Sequence, residues 1–244
     1  MPKIKFGDID FSGNGAYVWG EGQFSAPTRS VDIEKVQGRN GDIILDNGNY
    51  ENITATYSVA IMGDVKENTD RLKYMLYSQR GYQRLYDSER KGFYRMATFY
   101  DGFKVDKNDA SIVEIEFDCK PYLYDINGEL VTTVYFGDPV VLRNKYFEPS
   151  RPLFVLESGG YLGKCKIVVN DKELIVDGGA FDSFGTLVID TELQTAYNSL
   201  GNRNNYVKGT DLVLDAGENE ISLVSFSDTE GPSFVEVKPR WVTI

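Results

Sequence analysis

Three carboxylates at alternate positions are the residues whose types and spacing could carry acid–base chemistry in this sequence. Glu114, Glu116 and Asp118 alternate with apolar residues in the run VEIEFDC. Two carboxylates flanking a sugar bond are what a glycoside hydrolase needs. However, a period of two is typical of a β-strand with one buried and one solvated face. We therefore interpret the row as a solvated face rather than as a catalytic pair.

Other residue types that commonly carry chemistry are scarce. Histidine is absent, which removes the most common general base and the most common metal ligand. Cys119 and Cys165 are too few for a disulfide framework, and each lies in a strand-like run where a buried thiol is expected. The cluster from Asp46 to Asn49 fits a turn better than a calcium loop. We expect a protein that is not an enzyme and has no cofactor or metal site.

Composition predicts a mainly β chain without affinity for nucleic acid. Of the 244 residues, 41% are hydrophobic and 13% aromatic, and aromatic residues favour strands. The net charge of −11 is spread over both halves of the chain, so the surface repels phosphate backbones. No apolar run has the length of a signal peptide or a membrane span. We expect synthesis in the cytoplasm, no membrane insertion and no specific nucleic-acid binding.

One strand and one helix are well defined in the first half. Residues 53–61 alternate apolar and polar over nine positions, which predicts a core strand. A helix is predicted over about 64–80, because Asp64 and Glu67 have the spacing of a capping box and Gly81 can end it. The apolar residues of this helix lie on one face, which favours a helix packed on a sheet over a partner-binding face. We expect an N-terminal β-sandwich-like domain with this one amphipathic helix.

The second half consists of short strands with polar turns, which is typical of a β-sandwich or jelly roll. Prolines between 148 and 152 mark a junction. The predicted domains are therefore 1–148 and 149–236, with 237–244 returning to the first domain. A jelly roll could bind carbohydrate through exposed aromatic residues, and this alternative stays open for Tyr161, Tyr197 and Tyr206.

Ahead of the core strand, residues 28–50 form a polar arm with charges of both signs and three glycines. It is longer than the closure of one core needs, so we expect it to contact another molecule. Several motifs occur in a consistent order: Arg39-Asn40-Gly41-Asp42, Tyr82-x-Arg84-Leu85-x-Asp87, Phe117-Asp118-Cys119-Lys120-Pro121-Tyr122, Leu187-Val188-Ile189-Asp190, Thr195-Ala196-Tyr197 and Ala216-Gly217-Glu218-Asn219-Glu220-Ile221. In this combination the chain resembles the distal tail proteins (Dit) of long non-contractile-tailed bacteriophages.

The resemblance implies a virion structural protein at the tail tip, without catalysis. Its N-terminal domains would form a homohexameric ring that joins the tail tube protein to the tail-associated tip protein and leaves a channel for DNA. Its C-terminal domain would be galectin-like, a platform for receptor-binding proteins in host adsorption. Acidity would suit a channel that passes DNA without holding it. The arm would then supply the subunit interface, with these residues: Arg29, Asp32, Lys35, Arg39, Asn40, Asp42, Ile44 and Asn47.

Overall fold

The computed structural model describes residues 3–13, 15–105, 111–209, 211–226 and 230–244. Two compact units divide the chain, the first ending at Leu123 and the second running from Tyr124 to Thr243. Both are built mainly from strands, which confirms the predicted mainly β fold class.

The strands of the first unit form one large sheet and one separate pair. Their bounds are β1 Ile4–Phe6, β2 Ile9–Asp10, β3 Ser12–Gly13, β4 Ala16–Val18, β5 Gln23–Phe24, β6 Arg29–Glu34, β7 Ile43–Tyr50, β8 Ile53–Ile61, β9 Gln83–Asp87, β10 Phe93–Thr98 and β11 Ser111–Cys119. In the large sheet the order is β2-β1-β9-β10-β11-β8-β4-β3, and β5 also pairs with β8. Among the described residues, strands β6 and β7 pair with each other and with no other strand.

Strand β8 is an interior strand of this sheet, between β11 and β4, and contributes five residues to the first core. It pairs antiparallel with β11 over nine residues, from Ile53 opposite Cys119 to Ile61 opposite Ser111. Ala55, Tyr57 and Val59 are buried, and the residues between them are not. The predicted core strand is confirmed with its predicted bounds.

The helix α1, Val65–Ser78, packs its apolar face on this sheet. The Asp64 side chain accepts a hydrogen bond from the Glu67 backbone N–H at 3.0 Å and so caps the first turn. Leu72 and Leu76 are completely buried in the core that β8 and β11 share. The helix predicted over about 64–80 is therefore confirmed, and it is laid on a sheet as expected.

The second unit is a β-sandwich of two antiparallel sheets. Two short strands, β12 Leu123–Asp125 and β24 Val242–Thr243, pair with each other outside these two sheets. The sandwich strands are β13 Thr132–Tyr135, β14 Val140–Asn144, β15 Leu153–Glu157, β16 Cys165–Val169, β17 Lys172–Val176, β18 Thr186–Asp190, β19 Thr195–Asn198, β20 Gly201–Asn202, β21 Val207–Gly209, β22 Gly217–Ser225 and β23 Phe234–Lys238. Short 3₁₀ turns occupy Ile126–Glu129, Gly178–Ala180 and Asn204–Tyr206. The sheet orders are β13-β23-β15-β18-β19-β20 and β14-β22-β16-β17-β21, with an apolar core lined by both.

The boundary between the units lies between residues 123 and 124, whereas the prolines placed it at 148 and 149. Strand β13 pairs with β23, and β14 pairs with β22, so residues 132–144 are part of the sandwich. The prolines mark turns within that unit. Near the end of the chain, the Arg240 guanidinium binds the Asp190 carboxylate, and the Trp241 carbonyl accepts a hydrogen bond from Asp125 N, both within the second unit. A return of residues 237–244 to the first domain stays a prediction.

Two turn sequences, Asn170-Asp171 and Asp101-Gly102, each predict a hairpin between the strand-like runs on either side, and the outcomes are opposite. A hairpin around Asn170-Asp171 is confirmed by the pairing of β16 with β17, and Asn170 takes the left-handed conformation (φ 52°) that the tight turn requires. Residues 103–105, by contrast, are not a strand, and β10 ends at Thr98 before the Asp101-Gly102 turn. A favoured turn sequence is therefore not sufficient for a hairpin here.

Candidate functional site

The arm of the first unit is an antiparallel hairpin that is separate from the large sheet and from the core of that unit. Its register places Asp32 opposite Leu45 and Ile33 opposite Ile44, with an irregularity between Arg29 and Val31. Almost every residue of β6 and β7 is exposed. A two-stranded hairpin is only marginally stable in water unless something covers one of its faces. This hairpin is therefore the candidate functional site.

The sequence builds the hairpin from β-branched residues and a wide turn. Gly38 and Gly41 both have a positive φ, of +83° and +84°, and no neighbouring atom lies where a Cβ would be. Such backbone angles favour glycine because other residues are strained there. Arg39 N donates to the Val36 carbonyl at 3.2 Å, which closes the first part of the turn. The connection from 35 to 42 is thus an ordered, exposed tip.

The base of the hairpin is held by a small polar cluster. The guanidinium of Arg29 lies 3.0 Å from the Asp46 carboxylate and 5.6 Å from the ring centroid of Tyr50. The Gly48 backbone N–H, and after it the Arg29 side chain, lower the pKa of Asp46 below its ordinary value. Tyr50 also makes an edge contact with the ring of Tyr122 at 6.1 Å. The base is therefore fixed, whereas the remaining length of the hairpin is exposed.

All the residues predicted at the subunit interface lie on this one hairpin. Asp32 is exposed on β6, and Ile44 is 66% exposed on β7. At the base, Arg29 is held by Asp46, and Asn47 donates to the Ser30 hydroxyl at 3.3 Å. The exposed connection carries the others, which are Lys35, Arg39, Asn40 and Asp42. The structure thus brings the set together on one element, and its role in subunit contact stays a prediction.

The sequence reasoning named Ile44 but missed two other exposed aliphatic residues of the arm, Val31 and Ile33. Ile33 is 59% exposed, and Val31 lies two residues before it on the same face of β6. Ile44, directly across from Ile33, shares that face. We call Val31, Ile33 and Ile44 the apolar stripe. The alternation of Val31 and Ile33 with acidic residues was readable in the sequence, but it predicts a half-buried strand rather than an uncovered one.

The carboxylate row of β11 lies on the opposite side of its strand from the core. Glu114 and Glu116 are exposed, while Asp118 is half-buried and accepts a hydrogen bond from the Asn52 amide at 2.9 Å. We call the side of β8 and β11 that carries Glu114 and Glu116 the open sheet face.

Comparison with known proteins supports this architecture along the whole length of the chain. No protein-family model matches, and no curated protein matches the sequence. Among solved structures, the crystal structure of SPP1 Dit (gp 19.1) superposes with a TM-score of 0.75 and 12% identity, and the match covers 100% of both chains. That protein is described as a paradigm of the hub adsorption apparatus in phages that infect Gram-positive bacteria.

The chain has a Dit-like fold. The complete backbone therefore has the fold that the resemblance implied. At 12% identity the similarity establishes the fold, and what this Dit-like chain does has to be argued from its own surfaces.

Three tyrosines were the alternative candidates, for glycan contact on the sandwich. Tyr161 lines an open groove of about 570 Å³ together with Tyr135 and Phe136. Tyr197 and Tyr206 are both 41% exposed, and neither lines that groove among the residues that the structure describes. The Dit-like fold thus does not gather the three into one site, and glycan contact through them stays a prediction.

Buried polar groups of the first core are structural rather than reactive. Tyr57 donates to the Asp87 carboxylate at 3.0 Å, and burial raises the pKa of that phenol far above its ordinary value. Arg95 is buried beside them with its guanidinium 5.2 Å from the Phe24 ring centroid. Burial raises the pKa of the Cys119 thiol to about 12, and only the thiolate is a strong nucleophile.

Two further features are absent from the part of the chain that the structure describes. Within the described ranges, no group of three or more His, Cys, Asp and Glu side chains could hold a metal ion. In that same part of the chain, no helix has the length and apolarity needed to cross a membrane.

Proposed function

We propose that the protein is a structural component of a phage tail tip, forming a hexameric ring that joins the tail tube to the tip apparatus and leaves a channel for DNA. The observation that carries this proposal is the exposed hairpin with its apolar stripe. The Dit-like fold supports it, since SPP1 Dit belongs to a hub adsorption apparatus. The alternative of a carbohydrate-binding protein has less support, because the three candidate tyrosines do not share one groove.

Energetics favour a partner for the hairpin. Burying a Val or Ile side chain that was exposed to water stabilises a complex by roughly 1.5–3 kcal/mol. Ile33 and Ile44 face each other across the two strands, so one contact would cover both of them. A surface that belongs to each copy and docks elsewhere on the next copy makes a heterologous interface, which closes into a ring when the rotation permits.

The test is the oligomeric state of the purified full-length chain, measured by light scattering during size exclusion. We expect a discrete species near six copies for the wild type. Ile33→Asp together with Ile44→Asp places two carboxylates in the apolar stripe, and we expect the apparent dissociation constant of the assembly to rise at least about tenfold.

A matched control is Ile126→Asp, which changes another exposed isoleucine outside the hairpin. It should leave the assembly intact. A wild type that remains monomeric at every concentration, or a hairpin variant that assembles like the wild type, would contradict the proposal.

A further inference from the structure

A second uncovered surface of the first unit consists of tyrosines. Tyr74 and Tyr77 lie on the outer side of α1, three residues apart, and are 78% and 53% exposed. The Tyr77 hydroxyl donates to the Asp101 carbonyl at 3.1 Å, which brings the adjacent Tyr100, 71% exposed, to the same place. We call Tyr74, Tyr77 and Tyr100 the tyrosine patch. Exposed aromatic clusters of this kind are enriched at protein–protein interfaces.

The tyrosine patch and the hairpin tip have opposite charges at their edges. Asp70, one turn before Tyr74, and Asp101 are exposed acids beside the patch. The tip over 35–42 carries two cations, Lys35 and Arg39, and one acid, Asp42. In the part of the chain that the structure describes, Lys35, Arg39, Asp70 and Asp101 have no ion-pair partner. The two cations of the tip therefore have two exposed carboxylates as counterparts beside the patch, where Lys73 is the nearby cation on the helix.

We propose that the tyrosine patch of one copy receives the hairpin of a second copy. The apolar stripe would cover Tyr74 and Tyr100, and the tip cations would meet Asp70 and Asp101. This assignment rests on the proposed ring, and it deepens that proposal by naming the acceptor surface.

The second copy is the occupant that the structure favours. Within one chain the apolar stripe and the tyrosine patch are both exposed at the same time, so neither covers the other. The two surfaces are complementary in chemistry, since aliphatic side chains pack on aromatic rings and guanidinium groups stack on tyrosine faces. Each copy carries both surfaces, so every docking event leaves one of each for the next copy.

Cross-linking tests the pairing directly. Cys119 and Cys165 are both completely buried, so thiols introduced at the surface are the reactive ones in the folded protein. The full chain carrying Arg39→Cys and Tyr100→Cys is treated with a short bismaleimide and separated under denaturing conditions. We expect a covalent ladder that extends beyond two chains up to the size of the ring, while each single variant gives no ladder.

The matched control combines Arg39→Cys with Glu116→Cys, which moves the acceptor thiol to the open sheet face. A ladder with Glu116→Cys and none with Tyr100→Cys would overturn the tyrosine patch as acceptor and leave the ring proposal standing. Intact assembly with no ladder from either pair would do the same. A monomeric wild type would instead overturn the ring proposal itself.

A charge exchange gives an independent readout. Lys35→Glu with Arg39→Glu should weaken assembly at least about tenfold, and adding Asp70→Lys with Asp101→Lys to the same chain should restore it. No restoration in the combined variant would contradict the assignment, provided that its helical circular dichroism is unchanged.

Discussion

Two hairpins of this chain have similar local sequences and opposite surroundings. Strands β16 and β17 are joined by the tight Asn170-Asp171 turn and continue into the five-stranded sheet, so Cys165, Ile167 and Val169 are completely buried. Strands β6 and β7 are joined by an eight-residue connection and pair with nothing else, so Ile33 is exposed. Alternating β-branched residues thus make a hairpin in both places. Whether its apolar face is buried depends on a neighbouring element, and in the arm that element is missing.

The largest effect should come from removing one buried side chain of the sandwich hairpin. Ile167→Ala leaves a cavity and should reduce the unfolding free energy of the second unit by about 4 kcal/mol. The matched change Ile33→Ala should alter monomer stability by less than about 0.5 kcal/mol. Urea unfolding of the second unit can follow Trp241, which packs against its core, in a Trp19→Phe background, and unfolding of the first unit can follow the circular dichroism of helix α1. Equal losses for the two variants would remove the contrast between the hairpins.

A somewhat smaller effect is expected from the ion pairs of the two regions. Arg240 binds the nearly buried Asp190 through two hydrogen bonds of 2.9 and 3.0 Å, so Arg240→Met leaves a carboxylate without its partner. We expect a loss of about 3 kcal/mol in the same urea experiment. Arg29→Met breaks the exposed pair with Asp46 and should cost less than about 0.5 kcal/mol. A large loss for the Arg29 variant would show that the arm is a stable element without a partner.

The smallest effect concerns acid. Burial raises the pKa of Asp190. The hydrogen bonds from Arg240 and from the Leu193 and Glu192 backbone lower the pKa by more than burial raises it, so the pKa lies below the ordinary 3.8. A lowered folded-state pKa contributes stability that is complete above about pH 4 and is lost as the pH falls through the folded value. The wild type should therefore lose stability more steeply below pH 4 than Asp190→Asn, by at most about 1.4 kcal/mol per pH unit. Parallel acid curves would contradict this.

Local signals were sufficient for much of the fold. The capping residue Asp64, the nine-residue alternation of β8 and the Asn170-Asp171 turn each act over a few positions, and all three were predicted correctly. The unit boundary depends instead on the pairing of Thr132–Tyr135 with residues about a hundred positions later. Proline marks a turn equally well inside a domain and between domains, so that boundary could not be predicted from composition.

The candidate site was predictable in part for the same physical reason. The length and charge of residues 28–50 indicated an arm, and the structure places the predicted residues on it. The exposure of Ile33 and the clustering of Tyr100 with the helix tyrosines depend on which elements cover them, and a single sequence does not state this. Ile33 and Tyr100 therefore become candidate interface residues only once the structure shows that no neighbouring element covers them.

The attachment of the hairpin has a mechanical consequence. Strand β7 continues through Glu51 into β8, and β5, which precedes β6 in the chain, pairs with β8 as well. At the base, Glu51 N donates to the Thr28 carbonyl at 2.9 Å. A tensile load applied at the tip is therefore shared by the two strands of the hairpin. Because this load runs along both strands, it does not break the perpendicular hydrogen bonds between them one after another. Both strands deliver that load to β8, so the hairpin can act as a tether anchored in a strand that pairs with β11 over all nine of its residues.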